Sequence, residues 1–167
     1  MNVLITGRPG IGKTTLVRKI AMSFAGRAGG FYTEEIRKNG IRTGFRIKTL
    51  DGKTGILSGI DITSPCRVGK YKVDLANFED VALPAIESAI NDSRTVIIDE
   101  IGPMELFSAK FKKTVIKALD SPGNVIATIK LKGSGFIDAV KSRADVNIYT
   151  IDPDNRNSIL EDILEII

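Results

Sequence analysis

A chain of 167 residues that is 43% hydrophobic can build one domain around a real core. Its 24 Lys and Arg against 20 Asp and Glu leave a net charge of +4, with the basic residues scattered among acids. A nucleic-acid partner is therefore not indicated, and a polyanionic nucleotide accounts for the excess equally well. The absence of histidine removes Ser-His-Asp chemistry and most zinc sites, and the single cysteine, Cys66, excludes an internal disulfide framework and has no histidine to activate it.

Residues 3–5 are wholly apolar, as a strand covered on both faces should be. They run into Gly7, Arg8, Pro9, Gly10, Ile11, Gly12, Lys13 and Thr14, followed by Thr15 and a helical pattern to residue 25 in which Leu16, Ile20 and Phe24 recur every four residues. This is G-x-x-x-x-G-K-T in the setting it requires, with a strand before it and a helix after it. The glycines free the backbone to curl, so that successive N–H groups point at an anion. Lys13 can reach the β- and γ-phosphates, the Thr14 hydroxyl can ligate Mg²⁺, and the following helix adds its positive end. The expected ligand is a nucleoside triphosphate with Mg²⁺ as cofactor.

Residues 30–36 read as a second strand, rich in aromatic and β-branched types. Residues 37–73 differ in texture, with turn signals at Asn39-Gly40 and Asp51-Gly52 between alternating segments. They are expected to form a small antiparallel β-insertion on the edge of the core, serving as a substrate lid or as an edge decoration.

From residue 77 the pattern is helical, with Phe78, Val81, Ala82, Ala85, Ile86, Ala89 and Ile90 on one face and Pro84 as an irregularity or a break. Residues 95–100 form a buried strand ending in Asp99 and Glu100. A helix follows over 108–120, stopped by Ser121-Pro122-Gly123, then a buried strand over 124–129 and a short helix over 134–142. The last strand is expected over 146–151. Asp152-Pro153 signals the final helix, with Ile159, Leu160, Ile163, Leu164 and Ile167 as its apolar stripe. Strands alternating with helices imply an α/β fold, a mainly parallel sheet with helices on both faces, in one domain spanning 1–167. Ligands in such folds bind beyond the carboxyl ends of the strands. No signal peptide and no apolar run of some eighteen residues occurs, so the expectation is a soluble cytoplasmic protein, with no membrane partner and monomer as the default.

An apolar strand that ends abruptly in Asp99 puts that carboxylate at the sheet rim, where a Mg²⁺ held by Thr14 would sit; Asp99 is then the second metal ligand, through water. Glu100 can orient an attacking water and accept its proton, so Lys13 and Glu100 are the catalytic candidates. Glu105 is the reserve for that role. Thr128 either touches the γ-phosphate or the attacking water, or is a core threonine satisfied by backbone. Among the arginines that could serve near the γ-phosphate, Arg143 and Arg156 rank ahead of Arg37, Arg46 and Arg67 because they flank the last strand. Asn155 and Arg156 either hold the nucleotide base or cap the final helix.

Several stretches together resemble the THEP1 family of nucleoside-triphosphatases, which includes the cancer-related NTPase of vertebrates. They are the P-loop with Thr15, Gly30-Phe-Tyr-Thr-Glu-Glu-Ile-Arg37, Cys66-Arg-Val-Gly-Lys-Tyr71 with Val73-Asp-Leu75, Asp99-Glu-Ile-Gly-Pro-Met-Glu-Leu106, and Asn155-Arg156. The resemblance implies a RecA-like P-loop NTPase core with a catalytic Glu beside the Walker B Asp. It also implies slow Mg²⁺-dependent hydrolysis of ATP, GTP and other triphosphates to diphosphate and phosphate. Two positions depart from the family pattern: Pro103, where some members carry Lys, and Lys130, where other residues including His are expected.

The residues alone leave two rivals to hydrolysis open. One is a small nucleotide or nucleoside kinase, with the β-insertion covering an acceptor. The other is a nucleotide-dependent switch or adaptor in which turnover resets a partner-binding state.

Overall fold

The computed structural model describes residues 1–133 and 135–167. Among these, the strands are β1 (Asn2–Gly7), β2 (Ala28–Lys38), β3 (Ile41–Thr49), β4 (Thr54–Gly59), β5 (Arg67–Val68), β6 (Tyr71–Val73), β7 (Thr95–Ile101), β8 (Val125–Ile129) and β9 (Val146–Ile151). They form one sheet in the order β5-β6-β4-β3-β2-β7-β8-β1-β9. Strands β2, β7, β8, β1 and β9 pair in parallel. Strands β3, β4, β6 and β5 continue the sheet antiparallel from β2, as the turn signals in 37–73 require.

Every residue of β1 and β8 is buried, which explains their unbroken apolar runs. Alternate side chains serve opposite faces. Val3 and Ile5 pack with Val17 and Ile20 of α1 (Lys13–Ser23) and with Ile159 and Ile163 of α5 (Ile159–Leu164). Leu4 belongs to the other cluster, with Phe78 and Ile86 of α2 (Leu75–Asn91), Phe111 and Val115 of α3 (Ala109–Leu119), and Val140 of α4 (Phe136–Lys141). Phe31, Phe78 and Phe111 meet edge-to-face with centroids 5.2–6.3 Å apart and tie β2 to α2 and α3. The sheet therefore carries helices on both faces. No described helix is long and apolar enough to cross a membrane.

One reading left open, that of Pro84, is decided, and two others differ from expectation. Pro84 lies inside α2 without ending it, because it sits on the exposed side, where water can satisfy the carbonyl it cannot pair. The last helix begins at Ile159, and Asp152-Pro153 is not its start. Asp152 Oδ1 instead accepts from the N–H groups of Asp154 and Asn155, closing a side-chain turn that delays the helix. Leu164, expected on the apolar stripe, is exposed. Of the helix expected over 134–142, Ser134 lies outside the described residues.

Candidate functional site

β1 delivers the chain to the sheet rim at Gly7, and α1 starts at Lys13. The turn between them depends on Gly12, which precedes the helix at φ +111°, a conformation a side chain would strain. The Lys13 ammonium donates to the carbonyls of Gly7 (3.1 Å) and Arg8 (3.2 Å), so it is held over the loop it belongs to.

The parallel register brings the other polar groups to the same rim. Phe31 of β2 pairs with Ile98 of β7, and Ile98 pairs with Ala127 of β8. Just beyond that line lie Thr33, Asp99 and Thr128. Thr128 Oγ1 donates to Asp99 Oδ1 at 2.7 Å, and the Thr33 N–H and hydroxyl donate to Asp99 Oδ2 at 3.3 and 3.2 Å. Asp99 is 1% exposed and Thr128 fully buried. Thr128 is thus buried, as a core threonine would be, but its partner is the Asp99 carboxylate and not the backbone. Thr33 was missed in the sequence, although it stands in the Gly-Phe-Tyr-Thr-Glu-Glu stretch, just past the point where the pairing of β2 with β7 ends.

Glu100 follows, after a cis peptide bond, on the edge of the cleft. Burial pushes its carboxyl above the ordinary range; Lys13 pulls it down, Asp99 adds to the rise, and Lys130 opposes it. Glu105 opens a 3-10 turn (Glu105–Phe107) and is buried. Desolvation, and after it the negative field of Glu100, push its carboxyl up to about 8. The two acids flank Gly102: a methyl added there would stand 3.1 Å from Glu100 Cδ and 3.1 Å from Glu105 Oε2.

A cleft of about 750 Å³ collects Pro9, Gly10, Gly12, Lys13, Thr14 and Thr15 of the loop together with Asp99 and Glu100. Its other walls are Arg18, Thr33, Glu34 and Glu35, with Arg42 and Phe45 from β3. Gly7, Arg8 and Ile11 lie behind the loop, lining a neighbouring cavity with Thr150 and Asp152. Arg156 is exposed and shares a third cavity, of about 250 Å³, with Gly12, Thr15, Lys19 and Asn157 on the outer side of the loop. Asn155 accepts from the Asp152 N–H and donates to the Thr150 carbonyl, so its side chain is used in the turn.

The arginine ranking needs correction. Arg143 binds Asp120 and Asp145 at 2.7 Å each, and Asp145 accepts from Asn2, the first residue of β1. This cluster is at the amino ends of the strands, opposite the rim, because the short α4 returns the chain there before β9. Arg37 pairs with Glu35, and Arg67 donates to the Gly69 carbonyl; neither these nor Arg46 line the cleft. The arginines that do are Arg18 and Arg42.

Asp99 and Thr14 both offer oxygen donors to one cleft, a set that suits Mg²⁺. That ion takes one or two protein oxygens and completes its shell with phosphate and water. Among the described residues no cluster of three or more His, Cys, Asp or Glu could hold a metal by itself.

A family model described as NTPase matches residues 2–164. The nucleoside-triphosphatase THEP1 of Thermotoga maritima is 48% identical over 167 residues, covering 100% of this chain and 95% of the relative. The chain belongs to the THEP1 family. The human cancer-related nucleoside-triphosphatase is 42% identical over 179 residues, with 98% of this chain and 94% of the relative covered. The crystal structure of THEP1 from Aquifex aeolicus superposes with a TM-score of 0.93 at 43% identity, covering 99% of this chain and 98% of that one. The mainly parallel core and its antiparallel extension are thus those of a THEP1 P-loop NTPase.

Proposed function

We propose that this THEP1 protein is a Mg²⁺-dependent nucleoside-triphosphate phosphohydrolase, converting a triphosphate and water to a diphosphate and phosphate. The observation that carries this reading is the shared cleft: Lys13, Thr14, Asp99 and Glu100 face one space at the carboxyl rim of the sheet. The family's named activity, nucleoside-triphosphatase, agrees with it.

In this reading the N–H groups of the loop and the amino end of α1 receive the β-phosphate. Lys13 exchanges its bonds to the Gly7 and Arg8 carbonyls for the β- and γ-phosphates. Thr14 and Asp99 would hold Mg²⁺, which would supply neutralisation of charge on the phosphates. Asp99 already accepts three protein hydrogen bonds, so its contribution is through water. Glu100 orients the attacking water and takes its proton as the new O–P bond forms and the β–γ bridge bond breaks. A carboxyl raised above its ordinary range is a better proton acceptor, and general-base help of this kind is worth roughly 10²–10⁴-fold.

The base extends past Thr15 toward Arg156 and Asn157. Both residues are exposed and line an open cavity, which supports acceptance of ATP, GTP and other triphosphates.

The test is hydrolysis of labelled MgATP and MgGTP by the wild type and by Lys13→Ala, with a panel of nucleosides and nucleoside monophosphates present. Free phosphate from the wild type and none from Lys13→Ala is expected. Label reaching an acceptor faster than it appears as phosphate would replace the hydrolase reading with a kinase.

A further inference from the structure

β2 pairs with β7 only over Ala28 to Phe31 and then continues to Lys38. Seven further residues at about 3.3 Å each carry it roughly 20 Å past the last paired position. There β2 pairs antiparallel with β3, and the hairpin forms a wall of the cleft facing the P-loop. Arg42, paired with Arg37 across the hairpin, is on that wall with Phe45.

The Arg42 guanidinium is held from several sides. Nε donates to the Tyr71 hydroxyl at 2.9 Å, and Nη1 donates to Glu35 Oε1 at 2.8 Å. The Phe45 and Tyr71 rings lie 5.1 and 5.5 Å from its central carbon and are packed edge-to-face on each other. A guanidinium has five N–H donors, and among the described residues Nη2 meets no acceptor. Charge is also left over: Glu35 is shared with Arg37, so two cations flank one carboxylate. Arg18, the other arginine of the cleft, is on the P-loop's own helix, over Tyr32 and 3.8 Å from Glu34. Its guanidinium is engaged by the Tyr32 ring and the Glu34 carboxylate of β2.

We propose that Arg42 is a catalytic arginine supplied in cis by the β2–β3 hairpin, its free guanidinium edge contacting the terminal phosphoryl group as that group passes to water. Glu35 and Tyr71 are its positioning residues. The inference rests on the hydrolase reading above. It gives the antiparallel extension a role in turnover: the extension brings a second cation, beside Lys13, to the γ-phosphate. A preorganised donor aimed at developing charge acts on the transition state more than on the bound substrate.

Arg42→Ala, Arg42→Lys and Tyr71→Phe are compared with wild type in single-turnover MgATP hydrolysis. Affinity is measured for a non-hydrolysable ATP analogue and for MgADP with aluminium fluoride, and folding is checked by circular dichroism. Arg42→Ala should lose about a hundredfold or more in rate and bind the fluoride complex correspondingly less well. Its affinity for the analogue should stay within about threefold. Arg42→Lys should stay well below wild type, since a point charge does not reproduce the fork. Tyr71→Phe should lose rate but not analogue affinity. Added guanidinium should restore part of the rate to Arg42→Ala. An Arg42→Ala protein that turns over within about threefold of wild type overturns the assignment, as does one whose rate loss is matched by lost analogue affinity. Lys13→Ala separates the two levels. Activity surviving in Lys13→Ala sinks the reading of the P-loop cleft as the hydrolytic site, whereas an inactive Lys13→Ala beside an active Arg42→Ala sinks only the role of Arg42.

Discussion

The Thr128 hydroxyl donates a 2.7 Å hydrogen bond to Asp99 Oδ1 from the neighbouring parallel strand, and both residues are buried. The position of the Asp99 carboxylate is therefore fixed by the sheet before any ligand arrives. Thr128→Val keeps the shape of the side chain but removes the donor. It should cost about 1–3 kcal/mol, because a buried carboxylate oxygen loses its shortest bond. It should also raise the Mg²⁺ concentration needed for half-maximal hydrolysis. Urea denaturation and a Mg²⁺ titration check the two halves, and Thr128→Ser should recover most of both.

Gly102 separates the two acids of the site, and an added methyl would come within 3.1–3.2 Å of Glu100 and Glu105 atoms. Gly102→Ala should therefore push the Glu100 carboxylate aside. The expected result is a rate lower by about tenfold to a hundredfold with nucleotide affinity unchanged, since misplacement by a fraction of an ångström to an ångström is costly near the reacting atoms. Steady-state kinetics beside a binding titration would show it.

Glu105 gives a pH dependence of stability. Burial pushes its carboxyl up to about 8 from an ordinary 4.5, helped by the charges of Glu100 and Asp99. Between those values the folded protein keeps a proton that the unfolded chain releases. Stability should fall as pH rises through that window and level off above it. Glu105→Gln has nothing to titrate there, so its stability relative to wild type should grow from pH 5 to pH 9. Denaturant melts at several pH values measure the slope.

Much of this was legible in the sequence, for reasons particular to each element. The P-loop is contiguous, so strand, glycines, Lys13 and Thr14 could be read in one line. Asp99 was legible because it abruptly ends an apolar strand. Thr33 and Arg42 were not, since their place depends on which strands are neighbours: Thr33 reaches Asp99 only because β2 lies beside β7, and Arg42 reaches the cleft only because β3 folds back on β2. Arg143 was misjudged for the converse reason. It is near β9 in the sequence but belongs to the amino end of that strand. Asp152-Pro153 imitates a helix start because the side-chain turn it makes uses the same acceptor chemistry as a cap.

The Glu100 carboxyl supports the account at its centre, since it is the group assigned to the attacking water. Glu100→Gln keeps the size of the side chain and its half-buried setting and removes only the proton acceptor. Single-turnover hydrolysis of MgATP, measured alongside nucleotide affinity, should show affinity retained and the rate reduced by roughly 10²–10⁴-fold. A Glu100→Gln protein that hydrolyses MgATP at the wild-type rate, or that fails to bind nucleotide at all, would contradict the assignment.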